Sequence, residues 1–213
     1  MIHHHPDGDM LLSYASGSAD EATGLIVATH MHFCAACRTQ AQELEAVGGS
    51  LLQLLTPAPL EDDALESVLA RLEEIKPHQP PHRNLSIDGT PSVLRHYIGG
   101  DLSSVRWRQI GSRLAYAPLF RRGAVSARLL RGVPGAESGP HSHRGMEYTL
   151  VLKGGFSDVT GTYGTGDLQV MAADQHHNPI ADPGEDCINL AVTTGPLKFD
   201  SLLQKIVAPL FGF

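Results

Sequence analysis

Apolar positions follow two rhythms along the chain, and the rhythm changes near residue 78. Before that point the spacing is helical. Leu65, Val68, Leu69 and Leu72 fall at i, i+3, i+4 and i+7, which lines them along one side of a helix. A second helix, starting near Cys34, carries Leu44, Val47, Leu51 and Leu54 on one side. A third includes Leu25, Ile26 and Val27, and Ser18-Ala-Asp-Glu21 ahead of it has the spacing of a capping box. A short helix over Met10 to Ala15 precedes these. Such stripes are usually core, although the same pattern also serves as a docking face.

The rhythm then breaks at KPHQPPHRNLSIDGTP, residues 76–91, whose four prolines and polar side chains read as a linker. From about Ser92 the chain is written in short β-type runs: VRWRQI, VSARLL, YTLVLKG, LQVMA and CINLAVTT, with Gly- and Pro-containing turns between them. Many short strands in succession imply a sandwich or small barrel, jelly rolls included. A last stretch, DSLLQKIVAPLF, has helical character up to Pro209. The pattern predicts an all-α helical bundle over residues 1–77, a linker over 78–92 and an all-β domain over 93–213.

Composition narrows the class. No run of about 18 apolar residues is present, so no membrane span is expected. MIHHHPDGDM lacks the apolar stretch of a signal peptide, and a cytoplasmic protein is expected. The net charge of −7 is unevenly spread. Residues 1–77 hold twelve acidic side chains and three basic ones (Arg38, Arg71, Lys76). That balance argues against nucleic-acid binding, which needs basic surface. It suits a basic partner, and it is equally what a solvated helical surface carries.

The three cysteines do not make a disulfide framework. Two of them lie in HMHFCAAC, residues 30–37, as His30-x3-Cys34-x2-Cys37. On a helix His30 and Cys34 share a face, and Cys37 continues it if the helix persists; with a break between them the backbone wraps the three round one ion. Thiolates with imidazole favour zinc in a closed four-ligand site. The fourth ligand must come from elsewhere, and His3, His4 and His5 are candidates. His5, the segment DMLLSYASG and then His30-x3-Cys34-x2-Cys37 together resemble the zinc-dependent anti-sigma domain. The resemblance covers about residues 3–75 and makes His5 the expected upstream ligand, with His4 the alternate. It implies a small helical bundle that clasps an extracytoplasmic-function-type sigma factor and blocks its binding to core RNA polymerase.

A second cluster lies in GAESGPHSHRGMEYTLVLKG, residues 135–154. His141 and His143, at i and i+2 on a strand, face the same way, and a turn brings Glu147 back toward them. The spacing Gly135-x5-His141-x-His143-x3-Glu147-x6-Gly154 resembles the first cupin motif. The second motif is altered: Gly166 and His177 stand at the family's spacing, while Ala172, Asp174 and Ala181 replace its Pro, Gly and Asn. His177 is preferred to His176 on that spacing. Three His and one Glu accept zinc, iron, manganese or nickel, with zinc the expected ion. An open site there permits catalysis; four protein ligands closed round the ion fit a structural or sensing role.

An anti-sigma-like domain followed by a cupin is similar to the ChrR type of zinc-binding anti-sigma factor. That resemblance implies that the helical domain inhibits the sigma factor and that the cupin is needed to respond to singlet oxygen and related oxidants; a small molecule in the cupin is the other signal its cavity allows. Zinc loss, oxidation of Cys34 or Cys37, or sensing in the cupin would each release the partner. Cys187, at the start of a strand, is expected to be a buried core thiol. Two other classes fit the cupin: a dioxygenase- or isomerase-type metalloenzyme with an N-terminal zinc assembly module, and a ligand-binding module. No acid, base or nucleophile constellation supports the enzyme, and a transcription regulator is the preferred reading.

Overall fold

The computed structural model describes residues 1–74 and 89–199. Most of the proline-rich stretch, and the C-terminal stretch read as helical, lie outside them. Among the described residues the first half is helical. α1 (Gly8–Ala15) is capped by Asp7, whose side chain accepts the Met10 N–H at 2.8 Å. α2 (Glu21–Phe33) starts differently from the capping box expected at Ser18. Asp20 is its N-cap and accepts the N–H groups of Ala22 and Thr23 at 2.9 and 3.1 Å. Ser18 instead turns back to Ser16 and the Ser13 carbonyl. The Asp20 carboxylate, next to the first turn, reaches both free donors, and its charge complements the helix dipole.

α2 stops where Cys34 leaves the helical region at φ −103°, ψ 107°. α3 (Ala35–Gln53) begins at once, with Cys34 as its N-cap and its sulfur accepting the Cys37 N–H. α4 (Ala64–Glu74) follows. The apolar stripes of α3 and α4 are not core: Val47, Leu51, Leu54, Leu65, Val68, Leu69 and Leu72 are each more than half exposed. Only the start of α3, at Cys37 and Ala41, is buried. At eight residues, α1 is too short to cover all of a nineteen-residue partner.

A second difference from the sequence reading lies at residues 92–98, where β grammar was expected to begin. α5 (Ser92–Ile98) occupies them, closed by Gly99 in the left-handed conformation at φ 73°. Its Leu94 is fully buried, and the helix packs on α2.

The second half is β-rich. Its strands are β1 (Arg108–Ile110), β2 (Leu114–Arg122), β3 (Val125–Gly132), β4 (His141–His143), β5 (Glu147–Lys153), β6 (Gly155–Asp158), β7 (Gly161–Gly164), β8 (Leu168–Met171), β9 (Ile180–Ala181), β10 (Cys187–Thr193) and β11 (Leu197–Phe199). Six form an antiparallel sheet in the order β1-β2-β3-β10-β5-β8. Two smaller sheets, β11-β4 and β7-β6-β9, complete the fold. β2 was not legible as a strand because Pro118 interrupts it; the register shifts between Pro118 and Phe120 to accommodate the missing N–H.

The large sheet is buried on both faces. Alternation along β3, β5 and β10 sends Leu129, Leu150, Leu152, Leu190 and Val192 into one apolar cluster with Leu25, Ile26 and Val27 of α2. The opposite set, Arg128, Glu147, Thr149 and Thr193, is buried and polar. One face of the sheet therefore carries the helices, and the other carries polar chemistry.

Candidate metal centres

Each half gathers four donors. In the first, His5, His30, Cys34 and Cys37 bring one ligand atom each to within 4.8 Å of the others. The break in the helix at Cys34 makes this possible, because it lets the end of α2 and the start of α3 present their side chains to one point. His5 Nδ1 lies 3.4 Å from both sulfurs, and His30 Nε2 lies 3.3 Å from Cys37 Sγ. These separations suit a tetrahedral ion: bonds of about 2.3 Å to sulfur and about 2.0–2.1 Å to nitrogen set the donors about 3.5 Å apart. His4 is directed elsewhere, with its ring 4.4 Å from that of Tyr163.

The electrostatics fit a cation. Burial pushes the Cys37 thiol up to about 12, with Cys34 beside it adding to the rise, so a thiolate there needs a compensating positive charge. Burial pushes His30 down to about 4 and keeps its imidazole neutral, as a ligand must be. Its Nδ1 donates to the Gly166 carbonyl at 2.9 Å, which leaves Nε2 as the lone-pair nitrogen.

In the second half, His141, His143, Glu147 and His177 converge in the same way, all buried. β4 carries the two histidines, β5 begins with Glu147, and His177 pairs with His141 through two backbone bonds of 3.0 Å. Glu147 Oε2 lies 3.0 Å from His143 Nε2, 3.2 Å from His177 Nε2 and 4.0 Å from His141 Nε2. Nδ1 of the fully buried His143 ring has no hydrogen-bond partner among the described residues, while its Nε2 faces the Glu147 carboxylate and is the nitrogen placed to coordinate an ion. His176 is exposed and takes no part. Asp174, where the family has Gly, adopts φ 62°, a conformation that Asp tolerates better than most residues, so the turn before His177 survives the change.

Three features behind this centre escaped sequence reasoning. Asp158 Oδ2 meets His177 Nδ1 at 3.0 Å and is itself held by Gln169 at 2.8 Å. The Gly139 carbonyl accepts from His141 Nδ1 at 2.8 Å. Both partners fix Nε2 as the donor of their histidine. Burial opposes charge on both His177 and Glu147, yet contacts from His143 and then His177 hold Glu147 below the usual carboxylate range, and Glu147 with Asp158 raises the His177 imidazole. Arg128, on the same inner face, donates to Ser126 Oγ at 2.5 Å; burial pulls it down to about 10 while Glu147 opposes the fall. A β-rich inner face with a buried Arg had no local spacing to announce it. Cys187 is buried, with its thiol pushed up to about 12 by burial.

A helical region with a Cys2His2 donor set, joined to a β-rich fold whose polar interior holds three His and one Glu, defines a two-centre cupin-like protein. A family profile described as the ChrR cupin-like domain matches residues 96–198. The anti-sigma-E factor ChrR of Cereibacter sphaeroides is 42% identical over 211 residues, spanning 99% of this chain and 98% of that protein. A chain in the crystal structure of Rhodobacter sphaeroides SigE in complex with the anti-sigma ChrR is 40% identical and superposes with a TM-score of 0.77, covering 91% of this chain and 100% of that one. The chain belongs to the ChrR family.

Proposed function

We propose that this protein is an anti-sigma factor: it sequesters an extracytoplasmic-function-type sigma factor and is a regulator rather than an enzyme. The observation that carries the reading is likeness along nearly the whole chain to a protein named as an anti-sigma-E factor. The fold supplies a matching surface. Val47, Leu51 and Leu54 of α3, and Leu65, Val68, Leu69 and Leu72 of α4, stay exposed in the acidic half. Exposed apolar groups with surrounding negative charge suit a partner that is apolar at its centre and basic at its rim.

In this reading zinc occupies the His5, His30, Cys34 and Cys37 group, and the second centre holds a divalent ion, zinc again. Zinc, when bound, cross-links the N-terminal segment to α2 and α3 and supplies folding energy to a small helical unit. Oxidative stress, singlet oxygen included, ends the inhibition, sensed with the cupin half. Both sulfurs are buried, so a direct attack on Cys34 or Cys37 requires the segment to open first. The protein works in the cytoplasm, where its partner meets RNA polymerase; no described helix is long and apolar enough to cross a membrane.

The test is purification of the untagged protein from its own organism under reducing conditions, with and without a zinc chelator. A sigma factor that co-purifies and is lost on chelation supports both the function and the role of zinc. One that resists chelation keeps the function and reduces zinc to a staple. No sigma factor in either sample refutes the reading. Removal of residues 93–213 abolishes the oxidant response only if the cupin half senses it.

A further inference from the structure

The two histidine donors of the first centre are both held by the β-rich half. Residues 2–5 lie along the turn between β7 and β8. Asp167, 4% exposed, accepts the backbone N–H of His3 at 2.6 Å and of His4 at 2.9 Å through Oδ1. Its Oδ2 accepts the Gly164 N–H at 2.9 Å, so one carboxylate ties the turn to the N-terminal segment. Leu168 N–H then donates to the His4 carbonyl at 3.1 Å. The next residue is His5. On the other side of the turn, the Gly166 carbonyl takes the Nδ1 proton of His30 at 2.9 Å.

Gly166 is fitted to this contact. It has φ 92°, and a Cβ there would stand 2.7 Å from the Ile2 side chain and 3.0 Å from Phe33 Cβ. Backbone from the β-rich half thus approaches both the N-terminal segment and the end of α2 as closely as atoms allow. Cys34 and Cys37, by contrast, are placed by the α2–α3 junction.

We propose that the Gly164–Leu168 turn is an outer shell of the N-terminal metal centre, with Asp167 and the Gly166 carbonyl as positioning groups for His5 and His30. Metal retention by the helical half is therefore set jointly by the β-rich half. Outer-shell partners matter because a ligand free to rotate must be ordered again each time the ion binds. The turn leads directly into β8, whose far end, Met171, pairs with Glu147. A four-residue strand thus separates the clasp from the second centre. The inference rests on the first centre holding a metal, and it stands apart from the identity of any protein partner.

The experiment uses full-length, zinc-loaded protein and a chromogenic chelator that reports zinc loss with time. Asp167→Ala is expected to lose the zinc of the Cys34–Cys37 centre at least about 10-fold faster than the parent, within the range found for lost outer-shell groups. The metal content of the second centre and the far-UV circular dichroism are expected to stay at the parent's level. His3→Pro approaches the same contact from the other side: it removes one N–H donor, leaves the β-rich half unaltered, and is expected to speed loss from the same centre. Cobalt substitution adds a spectral readout, because a loosened histidine shifts the visible bands of a tetrahedral thiolate site. Parent-like zinc loss in both variants would overturn the proposal. Equal loss of metal from both centres in Asp167→Ala, with His3→Pro unchanged, would also overturn it, because Asp167 would then be a general support of the β-rich fold. A parent protein without metal on Cys34 and Cys37 would refute the underlying metal reading before any variant was compared.

Discussion

The histidine donors whose second nitrogen is engaged have an oxygen behind them: the Asp158 carboxylate for His177, the Gly139 carbonyl for His141 and the Gly166 carbonyl for His30. Of these, Asp158 is the one a substitution can remove cleanly. Asp158→Ala is expected to weaken metal binding at the second centre by about 10- to 100-fold while leaving the first centre loaded; metal analysis after graded chelation checks it. The cysteines separate by environment too. In chelated protein, iodoacetamide should label Cys34 and Cys37 as their segment loosens, whereas Cys187, buried in the β-rich core with its thiol pushed up to about 12, should lag well behind. Peptide mapping over a time course distinguishes them, and equal labelling of Cys187 would show that its core opens as readily. All eight donors were legible as candidates because each set is mostly local: i and i+2 on a strand, or i, i+4 and i+7 across a helix junction, fix direction within a few residues. Asp158 was not, because a lone Asp at the end of a strand has no spacing that ties it to His177.

The helices pose a different problem. Periodicity located the first four helices and gave α3 and α4 an apolar stripe each, but a stripe does not say what covers it. On α2 the apolar residues meet the sheet; on α3 and α4 they remain in solvent. An exposed stripe can therefore be altered without harming the fold. Leu51→Asp and Leu69→Asp are expected to leave the melting temperature within about the change that 0.5 kcal/mol produces, the usual range for surface positions. On the proposed function, the same variants weaken sigma-factor capture by at least about 10-fold, since each places a charge in an apolar contact. A binding isotherm beside a thermal melt reads both effects. The helix start at Asp20 rather than Ser18, and the helix over Ser92–Ile98, were misread for a common reason. Several polar residues near a boundary satisfy the same cap pattern, and a short apolar segment such as SVLRHYI fits strand or helix until its neighbours choose.

Across the molecule, the helical and β-rich halves share one apolar cluster rather than meeting as finished surfaces. Ile26, fully buried, packs in that cluster with Leu129, Leu150 and Leu190, and Glu21 of the same helix reaches Arg122 at 3.0 Å. Ile26→Ala is expected to cost about 2–5 kcal/mol, as removal of a buried branched chain does. It should lower the unfolding midpoint of the β-rich half as well as that of the helices, which near-UV and far-UV circular dichroism can follow together. A β-rich signal that melts at its original midpoint would mean that the halves unfold independently.

Local spacing was enough to indicate a helical first half, a β-rich second half, and two groups of candidate metal ligands, because secondary structure turns a short sequence interval into a fixed direction. It also carried the family resemblance that the comparisons bear out. The resemblance points to His5 among the three N-terminal histidines, and His5 is the one grouped with the cysteines; the fold alone decided which stripe became core and which backbone carbonyl stands behind His30 from 136 positions away. Those outcomes depend on which surfaces the folded chain brings together, and no interval along the sequence encodes that meeting.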